Sequence, residues 1–255
     1  IYLYEGGGAA LHSGVSCHLL SGDAGRFTAA QVSEVIHPDD PHFPRSRLVV
    51  VENTSNKGGG TIWDFSEIQK IRELCNEHGL ALHLDGARLF HALVETKETA
   101  KDFGKLFDSI SICLSKGLGA PVGSLLLGSK PFLHEANRMR KVFGGGMRQA
   151  GFLAAAGLFA LKHNIDRLEG DHEKAKRLAL AIKESNLPGQ VIPTATNMVM
   201  IDFAEAETLA EVEKRFTERG ILTVSMSSTR LRLVVHKDIS EEMIAQAIDL
   251  IATWK

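Results

Sequence analysis

The residues of this chain best suited to chemistry stand where two short apolar runs end. LHLDGARLF, residues 82–90, passes from alternating Leu and His to Asp85 and then Arg88, and SICLSKGLGAPVGS, residues 111–124, reaches Lys116 among small residues. If such runs are successive strands of an open α/β sheet, their carboxyl ends line the crevice where ligands bind. An acid and an amine projecting there together suit pyridoxal phosphate. A lysine amine condenses with the cofactor aldehyde, and a carboxylate keeps the pyridine nitrogen protonated so that the ring accepts electrons. Each residue also has a plainer reading. Lys116 can be a solvated surface charge, and Asp85 can cap a helix over RLFHAL, with or without a role at a cofactor.

Those residues need a scaffold, and the pattern supplies one. RLVVVEN, residues 47–53, is a continuous β-branched run of the kind buried on both faces of a parallel sheet. Residues 64–79 read as a helix with Asp64 as N-cap, Glu67 three residues on, Ile68, Ile71, Leu74 and Cys75 at helical spacing, and Gly79 as the stop. Strands follow at 80–85, 109–114 and 123–129, with a short helix over RLFHALVE between the first two. The last two strands lie too close in sequence for a parallel crossover and predict a hairpin, hence a mixed sheet. After Gly144, Gly145 and Gly146 the composition shifts to Ala, Leu, Lys and Glu, and residues 149–186 form one long helix or two consecutive ones. Past the turn residues SNLPGQ comes strand NMVMIDF, helix ETLAEVEKRFTERG, strands ILTVSMS and RLRLVVH, and helix ISEEMIAQAIDLIATW. The expected architecture is α/β: a mixed, mostly parallel sheet flanked by helices over residues 1–150, connecting helices over 151–188, and a smaller α+β domain over 189–255.

Composition excludes several classes. The 255 residues are 44% hydrophobic, enough for a sizeable core, and a formal net charge of -2 without a basic face is not the footprint of a nucleic-acid binder. No apolar run reaches the roughly 18–20 residues of a membrane-spanning helix. Cys17, Cys75 and Cys113 are odd in number and lack CxxC spacing, which points away from a disulfide framework or zinc site and toward a reducing cytoplasm. The chain opens at Ile1 directly in the apolar segment IYLYEGGGAALHSGV, as a chain that begins inside a domain would.

Taken together, FPRSRLVVVENTSN, HLDGARLF, CLSKGLGAPVGS, GGGMRQAG and RLRLVVHKD, in that order across essentially the whole chain, resemble the low-specificity L-threonine aldolases. The resemblance implies a pyridoxal-phosphate enzyme of the aspartate-aminotransferase fold. It would cleave L-threonine or L-allo-threonine to glycine and acetaldehyde as a homotetramer, a dimer of dimers with sites shared across a dimer interface. It assigns Lys116 to the cofactor aldehyde, Asp85 to the ring nitrogen, Arg88 to the ring and the substrate carboxylate, and Arg232 to that carboxylate. Period two places Arg230 and Arg232 on one face, and the pattern alone does not choose between them. His42, in PHFPRSR, matches the histidine near the substrate hydroxyl, where a base is needed. Tyr4 matches an aromatic beside the substrate, or fills a sheet core. Arg148 resembles an arginine reaching a cofactor phosphate, in a neighbouring subunit, with Lys141 a weaker candidate in the same motif. His83 fills the sheet or lies near Asp85.

Two departures limit the match. Ser55 stands where the family motif ENTHN has a histidine, and GGG follows at 58–60. The family's Gly-Thr phosphate loop, its ring-stacking histidine and a carboxylate-binding serine would precede Ile1, so the resemblance implies a chain truncated at its N-terminus. The competing readings are a β-eliminating lyase of the same fold, which shares the Asp and Lys, and a non-catalytic fragment.

Overall fold

In the computed structural model all residues except Leu3 and Lys255 are described. After a 3-10 turn at Glu5–Gly7 come α1 (Gly8–Ser13), α2 (Ala29–Val35), β1 (Leu48–Glu52), α3 (Phe65–Glu77), β2 (Ala81–Asp85), α4 (Leu89–Glu95), α5 (Ala100–Leu106), β3 (Ser109–Cys113), β4 (Ser124–Gly128) and α6 (Lys130–Val142). The chain continues through α7 (Gly151–His163), α8 (Leu168–Glu184), β5 (Gln190–Val191), β6 (Met198–Asp202), α9 (Ala206–Glu218), β7 (Val224–Ser227), β8 (Arg230–Val234) and α10 (Glu241–Ala252).

The first sheet has the order β1-β2-β3-β4, with β1, β2 and β3 mutually parallel and β4 antiparallel to β3. Period two sorts its residues into unlike faces. Val49, Val51, Leu82, Leu84, Ile110 and Ile112 form one face, buried under Ile68, Ile71 and Cys75 of α3 and Phe103 of α5. Each fully buried Leu there contributes on the order of 2 kcal/mol. The opposite face carries Glu52, His83, Asp85, Ser109 and Ser111, all only partly buried. One side of the sheet therefore anchors the fold while the other remains available for polar work.

Local sequence explains where the helices begin. Asp64 caps α3 by accepting from the Ser66 amide at 2.9 Å, and Gly79 supplies the left-handed residue after its end, with φ of 64°. Glu67 does not close a capping box; it accepts instead from the Ala29 amide at 2.8 Å, tying α3 to the start of α2. The short helices α2 and α5 each begin with a reciprocal box, Thr28 with Gln31 and Thr99 with Asp102, a local signal for both helix starts.

The second sheet, β5-β6-β8-β7, is antiparallel throughout. Its core of Val199, Ile201, Leu231 and Leu233 packs on α8, α9 and α10 through Ile182, Phe216 and Ile251. Two helices, not one, link the sheets. Leu168 at the start of α8 packs with Ala160 of α7 against Leu114 and Leu118, whereas Ala175 to Ile182 belong to the core of the second sheet. Residues 221–223 of ILTVSMS stay outside the ladder, with Leu222 82% exposed at an unpaired edge.

The loop after β1 locks the sheets together, and its glycines are obligatory. A Cβ on Gly58 would sit 1.9 Å from the Ala24 carbonyl oxygen, one on Gly59 2.9 Å from Met200 Cγ, and one on Gly60 2.1 Å from Thr196 Oγ1. Gly59 and Gly60 also have φ near 80°. Ser55 is buried in this loop, its hydroxyl accepting from the Gly58 amide at 3.2 Å, and a Cβ on Gly25 would meet its Oγ at 2.1 Å. Restoring the family histidine at this point forces an imidazole into space already filled by the 23–26 turn. Ser55→His is expected to destabilise the chain by about 1–3 kcal/mol, read as a lower urea midpoint; an unchanged midpoint would show that the turn yields freely.

Candidate active site

Three parallel strands deliver polar side chains to one end of one face. Glu52, Asp85 and Ser111 are lateral neighbours in the register of β1, β2 and β3, so all three project to the same side. Asp85 Oδ1 accepts from the Ala87 amide at 3.2 Å. It does not cap the next helix: α4 begins at Leu89, with Arg88 in the cap position and no side-chain cap. The second Asp85 oxygen has no hydrogen-bond donor among the described residues. His83 lies two residues back on the same face, with Nδ1 2.8 Å from Ser109 Oγ. Burial pushes its pKa down, and the nearby Asp85 carboxylate partly opposes that shift.

Glu52 was not among the residues singled out from the sequence, yet it closes VVVE as Asp85 closes LHLD. It accepts from the Asn56 amide at 3.2 Å. Burial pushes its carboxyl up, the Asp85 carboxylate adds to the rise, and the Asn56 bond and Arg88 oppose it. Arg88, half-buried behind them, has its pKa lowered first by burial and then by a second guanidinium, that of Arg232. Two cations thus face each other beside two acids, an arrangement that an added anion stabilises.

Arg232 reaches this place from the other sheet. Its Nη1 donates to Asn56 Oδ1 at 2.6 Å, while its buried Nε has no acceptor. Burial lowers its pKa. Arg230, two residues earlier on β8, is engaged elsewhere in a bidentate pair with Asp202 at 2.5 and 2.6 Å. Within the chain Arg232 thus meets the strand-end group, and Arg230 does not. Asn56 is the second residue that the sequence reading passed over, although it closes the quoted ENTSN motif.

Tyr4 is half-exposed beside the same group. The Lys57 ammonium lies 5.6 Å from its ring centroid, and Tyr4 is also near enough to Arg232 to interact electrostatically. Lys116 follows β3 at the carboxyl end of the sheet, the end that also carries Asp85. Its carbonyl accepts from the Gly119 amide at 2.9 Å, and its exposed amine has no partner among the described residues.

Other residues of interest make no hydrogen bond or ion pair with this group among the described residues. His42 occupies an exposed turn, its side chain 86% accessible and its Nδ1 2.7 Å from Asp40 Oδ1. Lys141, near the end of α6, donates to the Gly146 carbonyl at 3.4 Å, and Arg148 is exposed on the segment that follows.

A helix-flanked, mostly parallel sheet with a small antiparallel unit reaching back over its strand ends is an architecture this chain shares with solved aldolases and aminotransferases. A solved threonine aldolase of Leishmania major shares it with a TM-score of 0.80 at 21% identity, over 98% of this chain and 73% of that one. An ornithine delta-aminotransferase of Plasmodium falciparum superposes with a TM-score of 0.61 at 14% identity, over 88% and 58% of the two chains. The sequence pattern of the beta-eliminating lyases matches residues 1–206. The chain belongs to that lyase family, and within it stands with the low-specificity L-threonine aldolases. It is 40% identical to the Escherichia coli O157:H7 protein of that name, over all of this chain and 73% of the relative. Low-specificity L-threonine aldolase 1 of Arabidopsis thaliana is 37% identical over 94% of this chain and 69% of that protein.

Proposed function

We propose that the chain catalyses pyridoxal-phosphate-dependent retro-aldol cleavage of L-threonine or L-allo-threonine to glycine and acetaldehyde. The observation carrying this reading is the convergence of Arg88, from the turn after β2, and Arg232, from β8 of the second sheet, beside Asp85 and Glu52. An α-amino acid offers a carboxylate for the two arginines, and the buried Nε of Arg232 is a donor awaiting such an acceptor. The residues also fit the cofactor ring: an Asp85 oxygen without a donor is available to a protonated pyridine nitrogen, and the unpartnered amine of Lys116 is available to the aldehyde. When bound, the cofactor supplies a sink for the electron pair released as the Cα–Cβ bond breaks.

The chain's own groups divide the remaining work. Asp85 would hold the cofactor's ring nitrogen through its carboxylate, and Lys116 would hold its aldehyde end through the side-chain amine. Arg88 and Arg232 hold the substrate carboxylate, and Tyr4 borders the pocket beside Arg232. His42, or a water it orients, takes the proton from the substrate hydroxyl as acetaldehyde leaves. His42, Lys141 and Arg148 fulfil their roles in a homo-oligomer, a dimer of dimers in which Arg148 reaches the cofactor phosphate of a neighbouring subunit. The exposed apolar surface of Met139 and Val142 on α6, Phe143 just after it, and Phe152, Leu158 and Phe159 on α7 supports such an assembly. Residues 1–150 bind the cofactor, 151–188 connect, and 189–255 deliver Arg232. Three free cysteines suit a cytoplasmic protein.

Assay of the chain loaded with pyridoxal phosphate tests this reading against a β-eliminating one. Equal yields of glycine and acetaldehyde from threonine, with little pyruvate from serine or tryptophan, are expected. Pyruvate as the main product would assign β-elimination, and neither product together with no cofactor absorbance would mean a non-catalytic chain.

A further inference from the structure

The turn that carries Lys116 is held from behind by a buried chain of polar groups that the mechanism above does not use. His91 on α4 and His172 on α8 are both essentially inaccessible. His91 Nδ1 lies 2.8 Å from His172 Nε2, and His172 Nδ1 lies 2.6 Å from Glu95 Oε1, one helical turn beyond His91. At the other end His91 Nε2 fills the space beside the residue after Lys116, where a Cβ on Gly117 would collide with that nitrogen. The same turn is gripped twice more, by Arg167 Nη1 on the Gly117 carbonyl at 3.1 Å and by Asn164 Nδ2 on the Leu118 carbonyl at 2.7 Å. Arg167 is itself fixed by Asp171 at 2.5 Å.

The protons in this chain have one arrangement that leaves both imidazoles neutral. A carboxylate only accepts, so His172 Nδ1 donates to Glu95. His172 Nε2 then accepts, His91 Nδ1 donates, and His91 Nε2 keeps its lone pair toward Gly117. Charged groups surround the pair: Glu95 and Arg88 around α4, Arg167 before α8, and Asp171 and Lys176 on α8. Burial dominates for both histidines and pushes them toward the neutral form, His91 to about 3, with Arg88 and Arg167 acting in the same direction on His91.

We propose that His91 is a positioning residue for Lys116: oriented through His172 by Glu95, it sets the Gly117–Gly119 turn and through it the backbone from which the Lys116 side chain projects. The inference rests on Lys116 being the cofactor lysine, which borohydride mapping of the parent chain tests separately. Amine labelling of the cofactor-free protein with acetic anhydride, reading Lys116 against exposed Lys101 across a pH series, tests the positioning itself. His91→Phe fills the space without either nitrogen, and His91→Gln returns a polar end.

The expected result is a displaced labelling profile for Lys116 in His91→Phe with Lys101 unmoved, and partial return toward the parent profile in His91→Gln. In the loaded enzyme kcat should fall on the order of 10²-fold, the effect of a reacting group misplaced by roughly 1 Å, with KM for threonine little changed because Arg88 and Arg232 are untouched. A parent-like Lys116 profile in folded His91→Phe overturns the proposal. If circular dichroism shows that variant unfolded, Glu95→Gln carries the test from the partly exposed end of the chain: a displaced profile supports the proposal and a parent-like one overturns it.

Discussion

Replacing Lys116 with alanine is expected to lower kcat for threonine cleavage by about 10⁴-fold or more, the upper range for loss of a group that acts directly at the reacting centre. The expectation follows from how little else that side chain does. Its amine makes no hydrogen bond or ion pair among the described residues, and the fold at this point depends on the backbone, through the Gly119 amide to Lys116 carbonyl bond and the arginine and asparagine grips on the next two carbonyls. Alanine preserves all of these, so urea stability should stay within about 0.5 kcal/mol of the parent, as for other exposed side chains. Loss of activity with an unchanged midpoint, and loss of the absorbance of lysine-bound cofactor, would mark the effect as chemical. Normal turnover in Lys116→Ala would contradict the assignment outright.

The second large effect belongs to Asp85. Asp85→Asn retains an oxygen to accept from the Ala87 amide and removes only the charge. Without that charge the pyridine nitrogen loses the carboxylate assigned to it, and the ring loses much of its capacity to accept electrons. A fall in kcat/KM of about 10²–10³-fold is expected, the range for removal of one preorganised electrostatic group. Glu52 should respond in the opposite sense to its present shift, its carboxyl titrating lower once the like charge beside it is gone. Steady-state kinetics with threonine measure the first effect. Activity within a few-fold of the parent would mean that Asp85 does not serve the ring.

How much of this was legible in the sequence depended on whether the deciding interaction was local. The apolar faces of β1, β2 and β3, the hairpin to β4 and the capped start of α3 are written in period and punctuation over a few residues, and the structure follows them. Asp85 as a helix cap was a local expectation that failed, because the turn at 86–88 advances the helix start to Leu89 and leaves Arg88 in the cap position. Arg232 could be separated from Arg230 only by contacts made far away in sequence, with Asn56 on one side and Asp202 on the other. Glu52 needed only the rule already applied to Asp85, a charged residue ending an apolar run. His91 and His172 had no such signal; eighty-one positions apart, they meet only because α4 and α8 pack together.

Borohydride reduction of the chain loaded with pyridoxal phosphate, followed by peptide mapping, tests the central claim most directly, since it fixes the cofactor to the amine that holds it. The account predicts a single modified peptide containing Lys116, with the label absent in Lys116→Ala. Modification of another residue, such as Lys57 beside Tyr4 or Lys141 on α6, with Lys116 unlabelled, would contradict it.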